Sequence, residues 1–153
     1  MDDNTSEDLP PHSRLSAGCK LCYEGAKLVL FLTGLCHRDC WYCPLSQERK
    51  NRDVIYANEH LISSPEEMIR VAQRMSALGT GITGGEPFFF PDRLIEYAKA
   101  LKKEFGPEHH IHLYTGMAPD KDIIRSITGF VDEIRFHPPG ELWANLKETP
   151  FHQ

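Results

Sequence analysis

The stretch that decides the fold runs from residue 27 to residue 43 and reads KLVLFLTGLCHRDCWYC. Its first part, 27–33, is an apolar run that stops at Gly34, a pattern typical of a strand buried on both faces of a parallel sheet. Three cysteines follow in the spacing C-x3-C-x2-C, at Cys36, Cys40 and Cys43. Three thiolates on one loop can ligate three irons of a four-iron cluster and leave the fourth without a protein ligand. An open coordination position lets a bound metal react, so the loop indicates a reactive cluster.

Length and composition indicate one small globular domain. The chain has 153 residues, of which 41% are hydrophobic, and this is enough for a single core. The formal net charge of −5 does not indicate a nucleic-acid-binding surface, and no apolar stretch is long enough for a membrane helix. The acidic start does not resemble a secretory signal. Five closely spaced cysteines, an odd number, favour metal ligation over a disulfide framework and therefore a reducing, cytoplasmic location.

Strand and helix signals alternate along the chain. Residues 1–16 are polar and acidic, so we expect a flexible segment there, followed by one core domain at 17–153. The strongest helix signal begins at Ser64, where a capping serine precedes proline and glutamate; its apolar stripe is expected to reach Leu78, with Gly79 ending the helix. The other predicted elements are strands at 81–83, 110–116 and 131–137 and helices at 91–105 and 120–128.

Strands that alternate with helices predict βα units and a parallel sheet, here an α/β partial (βα) barrel with about four βα units. In such barrels the chemistry lies at the carboxyl ends of the strands. The distinctive residues of this chain fall at those ends. They are the cysteine loop after the first strand, Gly84-Gly85-Glu86-Pro87 after the second, Tyr114-Thr115-Gly116 ending the third and His137 ending the fourth.

On these motifs the chain resembles the radical S-adenosylmethionine (SAM) superfamily, in particular the group related to pyruvate formate-lyase activating enzymes. The resemblance rests on the cysteine loop together with Gly84-Gly85-Glu86-Pro87 and covers residues 27–138. It implies a barrel of the radical SAM type and a [4Fe-4S] cluster whose open iron is chelated by the amino and carboxylate groups of SAM. It also implies an enzyme in which one electron from the cluster cleaves SAM to methionine and a 5′-deoxyadenosyl radical, which abstracts hydrogen from a substrate.

The resemblance implies roles for residues beyond the cluster ligands. Tyr42, the aromatic residue before the last cysteine, is expected near the adenine of SAM. Gly84 and Gly85 have no Cβ, so their backbone can approach a ligand closely and their carbonyls can accept hydrogen bonds from the SAM ammonium group. Glu86 is expected to add a negative charge near that ammonium. His137 is expected to help hold the ribose or the substrate.

Three neighbouring histidines, His109, His110 and His112, suggest a metal cluster at first sight. Alternate residues of a strand point to opposite faces, so His110 and His112 share a face and His109 does not. We therefore interpret them as core or strand-edge histidines rather than as metal ligands.

The pair Cys19 and Cys22 has no task in this chemistry and supports a different interpretation. Together with Cys40 and Cys43 it gives C-x2-C-x17-C-x2-C, which fits the zinc-ribbon spacing of two knuckles about 15–20 residues apart. A small zinc-binding structural or interaction module is therefore an alternative, although it would leave Cys36 without a role. A third interpretation keeps the cluster and places a second metal or a redox pair at the first two cysteines.

The predicted barrel is short for the family that it resembles. A truncated member of the superfamily, or an inactive fragment of a radical SAM enzyme, is therefore a further alternative. We expect a missing C-terminal segment or a partner chain to complete the pocket. We also expect an electron donor such as a ferredoxin or flavodoxin, and a substrate that is either a small molecule or a protein. The sequence does not indicate which substrate it is.

Overall fold

The computed structural model describes residues 14–152, so most of the acidic segment predicted at 1–16 lies outside the described residues. The strands are β1 (Lys27–Phe31), β2 (Ile55–Ala57), β3 (His60–Ile62), β4 (Gly79–Thr83), β5 (His110–Thr115) and β6 (Glu133–Phe136). The α-helices are α1 (Ala17–Tyr23), α2 (Pro65–Arg74), α3 (Pro91–Phe105) and α4 (Lys121–Ile127). Short 3-10 helices follow at Pro87–Phe89, Gly140–Glu148 and Pro150–His152. None of the helices within 14–152 has the length and apolar character needed to cross a membrane.

The strands form one sheet in the order β3-β2-β1-β4-β5-β6. β1, β4, β5 and β6 are mutually parallel, and a helix lies in each connection between them. The register pairs Leu30 with Ile82 and Ile82 with Leu113, so large apolar residues of neighbouring strands lie on one face. The α/β class and the partial (βα) barrel with four parallel strands are therefore confirmed.

Helix α2 begins where the capping signal predicts and ends earlier than predicted. The Ser64 hydroxyl accepts a hydrogen bond at 3.4 Å from the backbone N–H of Glu67, the third residue of the helix, and a proline occupies the first turn. The helix ends at Arg74, and Gly79 begins β4 instead of ending α2. Ser76, with a φ of 53°, turns the chain out of the helical path. Leu78, predicted on the apolar stripe, consequently lies outside the helix and is 59% exposed.

The antiparallel hairpin of β2 and β3 was not predicted. Asn58, with a φ of 53°, lies between the two strands. Its side-chain carbonyl accepts a hydrogen bond from the N–H of Val29 at 2.9 Å, which ties the hairpin turn to β1. Strands of three residues are too short to give a clear alternating pattern, so the sequence carried little signal for them.

The apolar core lies between one face of the sheet and helices α2 and α3. It is built from Leu28, Leu30, Leu32, Ile82, Ile111 and Leu113 on the sheet side and from Met68, Val71, Ala72, Leu94, Ala98 and Leu101 on the helix side. Each large aliphatic side chain buried here contributes about 1.5–3 kcal/mol to the stability. This face therefore holds the parallel strands in register and fixes the positions of the loops at their ends.

The opposite face of the parallel strands is polar, and α1 covers its amino end. Nζ of Lys27 lies 3.0 Å from Nδ1 of His110 and 2.6 Å from Nδ1 of His112, so these two histidines share this face, as predicted. The ring of His109 points to the other face, where its Nε2 pairs with a threonine hydroxyl of β4 at 2.9 Å. Helix α1 approaches closely because Gly18 has no Cβ; a Cβ there would overlap the ring of His112.

Candidate cofactor site at the carboxyl ends of the strands

One cavity of about 210 Å³ lies at the carboxyl ends of the parallel strands. All eight residues that the sequence nominated for the cluster and for SAM line it. They are Cys36, Cys40, Cys43, Tyr42, Gly84, Gly85, Glu86 and His137. Three separate segments of the chain therefore converge on one space, as expected when strands run parallel and their ends meet at one edge of the sheet.

The cysteine loop is closed at its base by two backbone hydrogen bonds. Gly34 N–H donates to the Arg52 carbonyl at 2.8 Å, and the Gly34 carbonyl accepts from Asn51 at 3.0 Å. Burial raises the pKa of the Cys36 thiol, and the backbone N–H of Arg38, which donates to it, opposes this rise. In residues 14–152, no three cysteine, histidine or carboxylate side chains are close enough as placed to hold a metal ion. The loop offers three thiols to one cavity, and metal binding would have to draw them together.

The two glycines allow the turn after β4 to pack against the cysteine loop. Gly84 has a φ of 150°, and a Cβ there would lie 2.5 Å from the Thr33 carbonyl oxygen. A Cβ on Gly85 would overlap the carbonyl oxygen of Leu35. The backbone of the turn donates two hydrogen bonds into this segment, from Gly85 to Thr33 at 2.7 Å and from Glu86 to Leu35 at 2.9 Å. The glycines thus serve a close contact between two loops as well as lining the cavity.

Glu86 is the most deeply buried acid of the site, with 1% of its surface exposed. One carboxylate oxygen accepts hydrogen bonds from the Thr115 hydroxyl at 2.8 Å and from the Phe88 N–H at 3.1 Å. The other accepts from the Gly116 N–H at 2.9 Å. A buried carboxylate requires such partners, and these come from the 3-10 helix after β4 and from the end of β5. Glu86 therefore joins the segments that follow β4 and β5 at the base of the cavity, a contact that was not predicted from the sequence.

Tyr42 and His137 lie at the mouth of the cavity. The side chain of Tyr42 is 64% exposed, and its hydrogen bond with the Cys40 thiol is the main cause that raises the pKa of the tyrosine. His137 is also exposed, and its backbone N–H donates to the Thr115 carbonyl at 2.8 Å, which continues the pairing of β6 with β5. Its ring centroid lies 5.7 Å from that of Tyr114 on the polar face of the sheet. Both side chains can contact a molecule that enters the cavity.

Two cations, Arg38 and Lys50, also line the cavity, and Arg38 was not singled out from the sequence. Nη1 of Arg38 pairs with Glu141 at 3.0 Å, and Nζ of Lys50 pairs with Asp39 at 2.6 Å. The Nε of Arg38 is buried and has no hydrogen-bond partner among the residues that the structure describes. A buried donor without a partner costs about 1–3 kcal/mol, so the site favours an external acceptor. The sequence did contain a signal for Arg38, because this arginine lies between two candidate cluster ligands, Cys36 and Cys40.

Cys19 and Cys22 lie one turn apart on α1, at the other end of the strands. Both are close enough to Lys27, the first residue of β1, to affect its pKa, which burial lowers to about 8. Cys40 and Cys43 line the cavity beyond the carboxyl end of β1. The four cysteines of the zinc-ribbon alternative therefore do not form one site. Around the first pair, the described part of the chain supplies no third side chain placed to complete a metal site.

Comparison with known proteins agrees with these motifs. The family model described as the Radical SAM superfamily matches residues 30–136. The chain is 50% identical over 127 residues to a protein of Methanocaldococcus jannaschii named "Putative glycyl-radical enzyme activating enzyme". The aligned region covers 82% of this chain and 34% of that relative, so the chain spans about a third of the relative's length. No solved structure matches the chain significantly.

Proposed function

Because the chain belongs to the radical SAM superfamily, we propose that it binds a [4Fe-4S] cluster and SAM and cleaves SAM reductively. The observation that carries the proposal is the convergence of the three-cysteine loop and the Gly84–Glu86 turn on one cavity. When bound, the cluster would supply the electron that breaks a carbon–sulfur bond of SAM, yielding methionine and a 5′-deoxyadenosyl radical.

The residues around the cavity fit these two cofactors. Cys36, Cys40 and Cys43 supply three thiolate donors, the ligand type that iron–sulfur clusters use. Three protein ligands leave one iron open for SAM. The buried Nε of Arg38, which has no acceptor within residues 14–152, suits an anionic group placed among the cysteines. Lys50 adds a second positive charge at the wall of the cavity.

We assign the ammonium group of SAM to the turn after β4. The N–H groups of Gly85 and Glu86 are used in holding the turn against the cysteine loop, and the backbone carbonyls of Gly84 and Gly85 are the acceptors that we assign to the ammonium. The carboxylate of Glu86 is buried with three protein donors, so we expect it to act through its negative charge and by fixing the turn.

We assign the adenosine part of SAM to the mouth of the cavity. Tyr42 is exposed there and contacts the Trp41 ring edge-on, and we expect its ring to pack on the adenine. His137 lies at the end of β6, where its imidazole can hydrogen-bond to the ribose or to the substrate. These two roles depend on contacts that form only when SAM binds.

As the substrate we propose a glycyl-radical enzyme, because the relative from Methanocaldococcus jannaschii is named an activating enzyme of such proteins. A hydrogen atom would pass from the substrate to the deoxyadenosyl carbon and leave a radical on the substrate. We place the reaction in the cytoplasm, with a ferredoxin or flavodoxin as the electron donor. Since the chain spans about a third of that relative, further chain or a partner would complete the substrate pocket.

Anaerobic reconstitution with iron and sulfide tests the cluster. We expect about four irons and four sulfides per chain and an absorbance band typical of iron–sulfur clusters. The Cys36→Ala variant should lose that band. If this variant keeps its full metal content and the metal is zinc, the proposed function is wrong.

SAM binding and cleavage are tested separately. Adding SAM to the dithionite-reduced protein should change its electron paramagnetic resonance (EPR) spectrum, because SAM would occupy the open iron. We expect slow formation of 5′-deoxyadenosine by this chain alone, because a reactive radical must be shielded from water and the cavity is open. A cluster that forms but does not respond to SAM would identify the chain as an inactive member of the superfamily.

A further inference from the structure

We propose that Arg38 tunes the reduction potential of the cluster. Its guanidinium would donate a hydrogen bond from Nε to a sulfur atom of the cluster and stabilise the reduced form, while Glu141 would moderate this effect. The inference rests on the proposed function, because it presupposes a cluster on Cys36, Cys40 and Cys43. It goes beyond that function because it assigns a role in setting the reduction potential to Arg38, which is not a cluster ligand.

The position of Arg38 supports this task. The residue lies midway between Cys36 and Cys40 in sequence, and its backbone N–H donates to the Cys36 thiol. Arg38 lines the same cavity as Cys36, Cys40 and Cys43. A metal group held by those three thiols would therefore lie near this residue.

The unpaired donor indicates what the side chain would contact. Nε of Arg38 is buried, and within residues 14–152 it has no hydrogen-bond partner. Arginine cannot avoid this by losing its proton, because the guanidinium stays charged in proteins. The group that fills the cavity would be a cluster with three thiolates and bridging sulfides, which is rich in acceptors and negatively charged.

The physical effect follows from charge and burial. Reduction adds one negative charge to the cluster, and hydrogen bonds and positive charges near the sulfurs favour that state. Only 25% of the Arg38 side chain is exposed, so water and salt would screen its charge weakly. A low-potential cluster would therefore be easier to reduce with Arg38 present than without it.

Glu141 acts on the same guanidinium from outside the cavity. It belongs to the 3-10 helix Gly140–Glu148 and accepts a hydrogen bond from Nη1 of Arg38 at 3.0 Å. Its side chain is 74% exposed, so it neutralises the arginine only in part. The pair gives opposite expectations: removing Arg38 should lower the potential of the cluster, and removing the charge of Glu141 should raise it.

EPR-monitored redox titration of the reconstituted protein without SAM tests the inference. At a fixed low potential, Arg38→Ala should lower the ratio of reduced to oxidised cluster about tenfold, equal to ~59 mV for one electron. Arg38→Lys, which keeps the charge and loses the Nε donor, should show a smaller decrease. Glu141→Gln should raise the ratio. Arg125→Ala, an exposed arginine on α4 that removes the same charge, should leave it unchanged.

Iron content separates the possible failures. If the unaltered chain binds no iron, the proposed function fails. If it binds the cluster and Arg38→Ala titrates like Arg125→Ala, the tuning role is wrong. If Arg38→Ala fails to hold a cluster, Arg38→Lys and Glu141→Gln decide, and unchanged potentials in both overturn the inference. A shift that appears only after SAM is added would assign the guanidinium to the carboxylate of SAM and would also overturn it.

Discussion

The two ends of the parallel sheet both carry cysteines, and they differ in how their polar groups are satisfied. At the amino end, Cys19 and Cys22 lie on a helix that covers a network of paired side chains. Within it, Arg135 donates to Glu133 at 2.7 Å and to the Tyr114 hydroxyl at 2.6 Å. At the carboxyl end, the cysteines lie on an irregular loop around a cavity, beside a buried donor for which residues 14–152 supply no acceptor.

We interpret this difference as one between an end that holds the fold together and an end arranged to bind a ligand. Groups that satisfy one another hold elements together and need no ligand, as the contacts of Lys27 with His110 and His112 show. Groups that converge on a cavity and keep unused hydrogen-bonding capacity are arranged for a molecule that arrives later. The similar cysteine spacing at the two ends, C-x2-C in each, therefore does not imply similar roles.

The largest expected effect concerns the two cysteine pairs. The Cys40→Ala, Cys43→Ala double variant should lose all cluster absorbance, because it removes two of the three proposed ligands. The Cys19→Ala, Cys22→Ala double variant should keep the EPR signal of the reduced cluster, because its cysteines lie at the other end of β1. Iron analysis and EPR of both variants check this. If the Cys19→Ala, Cys22→Ala variant folds but loses the EPR signal, the cysteines at the amino end of the sheet are also needed for the cluster, and the proposed difference between the two ends is wrong.

The second prediction compares one glycine at each end. Gly85→Ala should destabilise the fold by about 3 kcal/mol and lower iron retention, because the new Cβ overlaps the backbone of Leu35, which cannot move without the loop. Gly18→Ala should also destabilise the fold, since its Cβ would overlap His112, but should keep the cluster. Urea unfolding of the apo proteins and iron content after reconstitution measure the two effects.

Gly140→Ala is the control for this pair. An added Cβ at Gly140 meets no atom within 4 Å in the described structure, so its effect should stay within about 0.5 kcal/mol. Equal iron retention in Gly85→Ala and Gly140→Ala would show that the turn after β4 does not shape the site.

A third prediction replaces one acidic residue at each end of the sheet, the buried Glu86 and the partly exposed Glu133. Glu86→Gln should cost about 1–3 kcal/mol, because its three donors lose a charged acceptor and an amide N–H faces one of them. It should also weaken the response of the cluster to SAM. Glu133→Gln, on the polar face, should lower stability and leave that response unchanged. If both variants respond to SAM like the unaltered chain, the negative charge of Glu86 has no part in binding.

The smallest expected effect is the pH dependence of the amino end. Burial, together with the nearby positive charges of Lys27 and Arg135, lowers the pKa of His112 to about 3. The unfolded chain, with a histidine pKa near 6.5, therefore binds more protons than the folded chain as pH falls below that value, and folding stability decreases. Between pH 7 and 5.5 this histidine should account for a loss of about 1 kcal/mol.

The variant His112→Gln should make the acid side of the stability curve less steep. Some of the slope should remain, because burial also lowers the pKa of His109, to about 4. His109 therefore also reduces the folding stability as the pH falls. Urea unfolding at several pH values measures the slope. The exposed His60 provides the control, and His60→Gln should leave the slope unchanged. An unaltered slope in His112→Gln would show that His112 is not held neutral by the fold.

Much of the fold was predictable because it rests on local patterns. The apolar run at 27–33 predicted β1, and the cap at Ser64 predicted the start of α2. Helix α1 was missed because its seven residues carry no apolar stripe, and it forms where Gly18 can pack on the polar face of the sheet. The end of α2 was predicted wrongly because Leu78 continues the apolar period beyond the point where the backbone leaves the helix.

The sequence by itself determined the superfamily, the parallel order of the elements and the eight residues that face the cavity. It could do so because motif spacing and strand ends are local features, and the ends of parallel strands must meet at one edge. The tertiary structure alone decided how those residues are held. The contact of Glu86 with Thr115 spans 29 positions of the chain, and the pairing of Arg38 with Glu141 spans 103. Such contacts depend on how packed elements bring distant side chains together, so no local pattern encodes them.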